Sequence, residues 1–114
     1  MDEILKRSLL YDFYGELLTE HQKEIYERFI LDDLSLSEIA ADAGITRQGV
    51  HDLIKRCSRT LQEYEDKLHL VERFLSIKEK IHKIETAAGD FDGLNTDEFV
   101  NMIRRISGEI IEEL

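Results

Sequence analysis

Apolar residues recur every three or four positions along most of the chain, the period of helices that bury one side. Ile4, Leu5, Leu9, Tyr11, Leu17 and Leu18 predict a first helix, with Phe13 and Tyr14 broadening its buried side. Thr19-Glu20-His21-Gln22 reads as a capping box, in which Thr19 caps a second helix and Gln22 reaches back to it. That helix carries Ile25, Tyr26, Phe29 and Ile30 on its apolar face and gives way to a turn at Asp32-Asp33. Ser35-Leu36-Ser37-Glu38 is a second capping box and opens a short helix through about Asp42. Gly44 follows at a position suited to a left-handed helix end, and Thr46 then caps a long helix that can continue to about Leu68.

Within these elements, residues 36–55 carry the spacing of a helix-turn-helix. Two helices that cross steeply need a small residue at the crossing, and Ala40 supplies it. Four residues later the tight turn favours glycine, and Gly44 stands there. Ile39, Ile45, Val50 and Leu53 are expected to complete the motif core, with Val50 and Leu53 packing the inner face of the second helix against Ile39 and Ile45. The recognition helix is expected over about 46–67, inside a domain of residues 1–68.

Residues 69–114 differ in character. Leu70, Phe74, Ile77, Ile81 and Ile84 follow spacings of 4, 3, 4 and 3, the seam of a coiled coil or a helical hairpin. Residues 86–93, with Gly89 and Gly93, predict a turn. Residues 95–98 are expected to cap a final helix striped by Phe99, Met102, Ile103, Ile106, Ile110 and Leu114. Such stripes are ordinary core. Two amphipathic helices beyond a complete small domain also suit a homodimer or a surface for docking a partner.

Composition narrows the class. A chain of 114 residues with no proline and 6 glycines is expected to be all-α. Cys57 stands alone, which excludes an internal disulfide and a cysteine-based zinc site and fits a reducing compartment. No apolar run approaches the roughly 20 residues of a membrane span. The start, Met1-Asp2-Glu3-Ile4, lacks the basic region of a secretory signal, so a cytoplasmic protein without membrane insertion is expected.

Charge sharpens the picture further. The formal net charge is -10, which argues against a protein that coats nucleic acid indiscriminately. Residues 44–62, however, set Arg47, Lys55, Arg56 and Arg59 against Asp52 alone, a local charge of +3. With Val50, Leu53, Ile54, Cys57 and Leu61 assigned to the buried side, the outer face of the long helix holds Arg47, Gln48, His51, Asp52, Lys55, Arg56 and Arg59. Arg47 and Gln48 lie where a helix-turn-helix presents side chains to base edges, arginine suiting guanine and glutamine adenine. Lys55, Arg56 and Arg59 lie further along, where phosphate contact is expected, and the helix start at Thr46 adds backbone donors. Asp52 would repel phosphate, and a cytosine amino group is its one attractive target. Gly49 inside the helix costs on the order of 1 kcal/mol against alanine, which a close backbone approach would explain. The competing reading of this face is an ordinary solvated surface.

The sequence resembles the YlxM family. The resemblance is carried by Tyr11-Asp12-Phe13-Tyr14-Gly15, by Leu17-Leu18-Thr19-Glu20 with Gln22, and by Asp32-Asp33-Leu34-Ser35-Leu36 with Glu38-Ile39-Ala40. Arg47-Gln48, Val50, Asp52, Ile54-Lys55-Arg56, and Tyr64-Glu65 with Lys67-Leu68 extend it, over about residues 9–75. It implies an all-helical protein with a three- or four-helix core of the winged-helix type but without a wing, similar to region 4 of sigma-70 factors. It also implies a link to the signal recognition particle, beside whose GTPase members are typically encoded, or a regulatory role. His21, Thr46, Gly49, His51 and Leu53 depart from the residues common in the family, so no sequence preference carries over.

Other chemistry finds little support. His21, His51, His69 and His82 fall on different predicted helices without the pairing of a metal site, and no metal or other cofactor is expected. Asp90, Asp92, Asn95 and Asp97 surround Gly93 in the wrong order for a calcium loop. Neither a phosphate-binding glycine loop nor a nucleophile elbow is present, and Cys57 falls on a buried stripe, so an enzyme is not expected. Three functions remain: a regulator reading duplex DNA, which is favoured over RNA; an adaptor binding signal recognition particle RNA or its GTPase; and a sigma-like fragment, without the aromatic promoter-melting segment of a complete sigma factor.

Overall fold

The computed structural model describes residues 2–114. They form six α-helices and one 3₁₀ turn, with no strand among the described residues: α1 (Glu3–Tyr14), the turn (Gly15–Leu17), α2 (Glu20–Ile30), α3 (Leu36–Ala43), α4 (Arg47–Leu68), α5 (Leu70–Asp90) and α6 (Thr96–Glu113). The chain divides into two compact units, the first ending at Val71 and the second running over Glu72–Leu114.

In the first unit α4 is the hub, packed against α1, α2 and α3. Its buried stripe is Val50, Ile54, Cys57 and Leu61, and against it lie Leu10, Tyr14, Leu18, Ile25, Tyr26, Ile39 and Ala40. Both capping boxes form: Thr19 accepts from the Gln22 amide and Ser35 from the Glu38 amide, and each partner side chain returns the bond. Helix starts are set locally, by side chains three residues apart, which is why sequence locates them well.

The first helix departs from expectation. It ends at Tyr14, and Leu18 and Thr19 are both extended, Thr19 because a helix N-cap residue takes non-helical geometry. Leu10 and Tyr14 carry its burial, whereas Ile4, Leu5 and Leu17 are exposed. Gly15 is required where it stands: a Cβ there would lie 2.7 Å from the Tyr11 ring.

The end of α4 is built by residues far apart in sequence. His69 adopts a left-handed conformation (φ 57°) and breaks the helix without a glycine. Tyr14 donates its hydroxyl hydrogen to Glu65 (2.6 Å) and accepts from the Leu70 amide (3.1 Å), while Glu65 also accepts from the Val71 amide (2.9 Å). The first amides of α5 are thus satisfied by a tyrosine and a glutamate rather than by a cap of their own.

The second unit is an antiparallel hairpin. Ser76 and Lys80 of α5 both donate to Glu113 near the end of α6, and Phe91 stacks on Phe99 at the turn, ring centroids 4.4 Å apart. Ile106 is buried, and Ile77, Ile84, Met102, Ile103 and Ile110 are half-buried. Of the seam expected on α5, Leu70, Phe74 and Ile81 remain exposed. The turn is shorter than expected. α5 runs through Gly89 to Asp90, because Ala87 and Ala88 favour helix, and two left-handed residues, Gly93 (φ 85°) and Asn95 (φ 52°), fall in the short reversal that follows. Asn95 precedes α6 but is itself left-handed, and its side chain makes no capping bond; Asp92 instead accepts from the Leu94 amide (2.9 Å).

Candidate nucleic-acid interface

The turn between α3 and α4 takes the expected form. Gly44 is left-handed (φ 70°, ψ 28°), and the amides of Gly44 and Ile45 both donate to the Ala40 carbonyl, at 3.0 and 3.2 Å. Ala40 is buried at the crossing. Thr46 is extended, and its hydroxyl accepts from the Gly49 amide (2.9 Å), so α4 starts at Arg47 with Arg47 and Gln48 exposed.

Two motif-core positions are corrected. Ile39 and Val50 are fully buried, but Ile45 lies in the turn and is 37% exposed. Leu53 is half-buried at the flank, and Ile54 takes the central place. At about 100° per residue, Ile54 lies about 40° around the helix from Val50, towards the core centre, and Leu53 about 60° the other way. Gly49 has a local explanation: a Cβ there would sit 3.1 Å from the Thr46 hydroxyl, crowding the cap.

Thr46, Arg47, Gln48, His51, Asp52, Lys55, Arg56 and Arg59 are all exposed. No ion pair engages Arg47, Lys55, Arg56 or Arg59 among the described residues. Asp52 is engaged: it accepts from the Gln48 amide group (3.0 Å) and faces the His51 ring nitrogen at 3.5 Å. Its negative charge is therefore spent partly on fixing the glutamine in one conformation.

A cleft of about 270 Å³ opens beside the recognition helix, lined by Arg7, Phe29, Leu36, His51, Ile54, Lys55 and Ser58. The Arg7 guanidinium lies 5.7 Å from the Phe29 ring centroid, and Ser58 is paired with the Tyr26 hydroxyl (2.9 Å). Sequence reasoning gave Arg7 no role, because it sits on α1 in an acidic stretch and only tertiary packing brings it to α4. Cys57 is buried, and desolvation raises its thiol pKa, which leaves it protonated and inert at neutral pH. Among the described residues no cluster of three or more His, Cys, Asp or Glu could hold a metal ion, and no helix is long and apolar enough to cross a membrane.

A packed helix pair closed by a small buried residue and a left-handed glycine, with the outer face of the second helix exposed, defines a helix-turn-helix protein. The chain belongs to the UPF0122 family, whose model, described as "Putative helix-turn-helix protein, YlxM / p13 like", matches residues 1–97. The match extends beyond residues 9–75, into the turn before α6 and the start of that helix. Similar proteins carry the same family name. One from Thermoanaerobacter sp. strain X514 is 43% identical over 112 residues, covering 97% of this chain and 96% of that protein. One from Caldanaerobacter subterraneus subsp. tengcongensis is 49% identical over 84 residues, 74% of this chain and 72% of its own. A Clostridium kluyveri protein is 39% identical over 115 residues, with both chains covered completely.

Proposed function

We propose that this protein is a non-enzymatic, cytoplasmic DNA-binding regulator that seats α4 in the major groove of duplex DNA. The outer face of α4 carries the reading: Arg47, Gln48, His51, Lys55, Arg56 and Arg59 stand exposed on a helix delivered by a helix-turn-helix, in a chain of net charge -10. Arg47 and Gln48 in the first turn contact base edges, while Thr46 and the first-turn amides meet a phosphate. Lys55, Arg56 and Arg59 hold the sugar-phosphate backbone. The acidic remainder suppresses indiscriminate binding, and the cation–phosphate contacts make affinity fall steeply with salt. A two-fold dimer through Leu70, Phe74, Ile77, Ile81 and Ile84 would demand a repeated or palindromic site, and light scattering of an Ile81→Glu variant tests it.

The second reading is an adaptor in the signal recognition particle pathway, bound to the particle's RNA or GTPase. The bond from Gln48 to Asp52 favours it, because a tethered glutamine is less available to a base. A-form RNA also offers phosphate and shape rather than a readable major groove.

A competition titration separates the two. Random-sequence duplex DNA competes with signal recognition particle RNA at low and near-physiological salt, and the retained duplexes are sequenced. The regulator enriches a defined motif, and Arg47→Ala relaxes it at one base pair by about 1–3 kcal/mol. Preference for the RNA without a motif supports the adaptor.

A further inference from the structure

We infer that Arg7 of α1, which lies outside the helix-turn-helix motif, joins His51 and Lys55 of α4 in a phosphodiester clamp on one flank of the recognition helix. This rests on the nucleic-acid reading of α4. Three cationic or protonatable side chains from two separate helices line the cleft of about 270 Å³, together with the apolar Phe29, Leu36 and Ile54. Arg47, His51 and Lys55 follow one another at four-residue spacing, so they share a flank of α4, and the last two line the cleft. A major groove about 12 Å wide carries a phosphate backbone along each wall. A strand lying along this flank passes Arg47, His51 and Lys55 in turn and meets Arg7, contributed by α1, at the cleft.

Arg7 is held ready for this contact rather than consumed elsewhere. Its guanidinium lies over the Phe29 ring, and its ion-pair partner is the exposed Glu3 at 3.8 Å, a pairing that a phosphate readily replaces. Its place in an acidic segment of sequence makes the convergence a product of folding. A guanidinium also suits two phosphate oxygens at once, which a lysine does not.

The test measures binding of the full chain to fluorescein-labelled random-sequence duplex DNA between about 50 and 200 mM salt. Arg7→Gln should weaken binding by about three- to tenfold and lower the log–log salt slope by about 0.9, equally across sequences. Arg7→Lys should restore the slope, and Glu3→Gln, which frees Arg7, should tighten binding by about twofold. An increase cannot come from misfolding. If Arg7→Gln leaves the slope of a binding-competent protein unchanged, the clamp is wrong while the role of α4 stands. If the unmodified chain binds no duplex even at low salt, the nucleic-acid reading falls and the clamp falls with it.

Discussion

Two glycines of the first unit are held by different constraints, and their alanine variants separate them. Gly44 has open space around its Cα but a left-handed backbone, so Gly44→Ala should cost about 1–2 kcal/mol through strain alone. Gly15 has an ordinary backbone but the Tyr11 ring 2.7 Å from any added Cβ. Gly15→Ala should cost about 1–3 kcal/mol by displacing that ring from its bond to Glu27. Urea unfolding of both variants checks the magnitudes, and Tyr11→Ala should remove most of the Gly15→Ala penalty while leaving that of Gly44→Ala intact. Gly44 was legible in sequence because its cause lies within four residues. The cause at Gly15 was not, because the position of the Tyr11 ring depends on α2. Asp52 offers a further test. It is exposed and central on the outer face, and Asp52→Asn should tighten duplex binding by about 0.5–1 kcal/mol, read by fluorescence anisotropy.

At the level of elements, the joint between α4 and α5 is the feature that sequence concealed most completely. Tyr14 and Glu65 are 51 residues apart, yet together they satisfy the first amides of α5. Burial first, and then its bond to Glu65, raise the Tyr14 phenol above its ordinary pKa, so it stays a donor across the neutral range. Tyr14→Phe keeps the ring and removes both bonds, leaving the Leu70 amide without its acceptor. It should cost about 1–3 kcal/mol, and amide hydrogen exchange should speed selectively at Leu70 and Val71. A pattern of apolar spacing cannot reveal such a joint. It records which side of a helix is buried and placed the end of α4 near Leu68, but it leaves no trace of the side chains that satisfy the amides beyond the break at His69. For the same reason the turn of the hairpin was placed too early: two glycines marked it, and only one, Gly93, has a backbone that requires glycine.

Across each folded unit, pH exposes how charge is used. Glu113 of the hairpin accepts from Lys80 and Ser76, and these donors, Lys80 foremost, hold its carboxyl below the ordinary range. A carboxylate depressed by folding adds stability above its unfolded pKa and loses it as pH falls through the folded value. The hairpin should therefore weaken below about pH 4, and Glu113→Gln should flatten that acid limb in circular-dichroism melts. In the first unit Tyr11, bonded to Glu27, and Tyr14 both have raised phenol pKa values, with burial the largest cause. Their contribution is complete below about pH 10 and disappears as pH rises through the folded values.

Sequence alone determined the all-helical class, the two capping boxes, the turn at Gly44 and the exposed cationic face of α4. Each of these depends on neighbours within a few residues, or on the 3.6-residue period that every helix obeys. Tertiary structure decided the rest. It moved Leu53 to the flank of the core, ended α1 at Tyr14, tied α5 to Tyr14 and Glu65, and brought Arg7 to the flank of the recognition helix. Those outcomes depend on where separate helices cross, and a crossing is set by the summed packing of many side chains rather than by any local run of them.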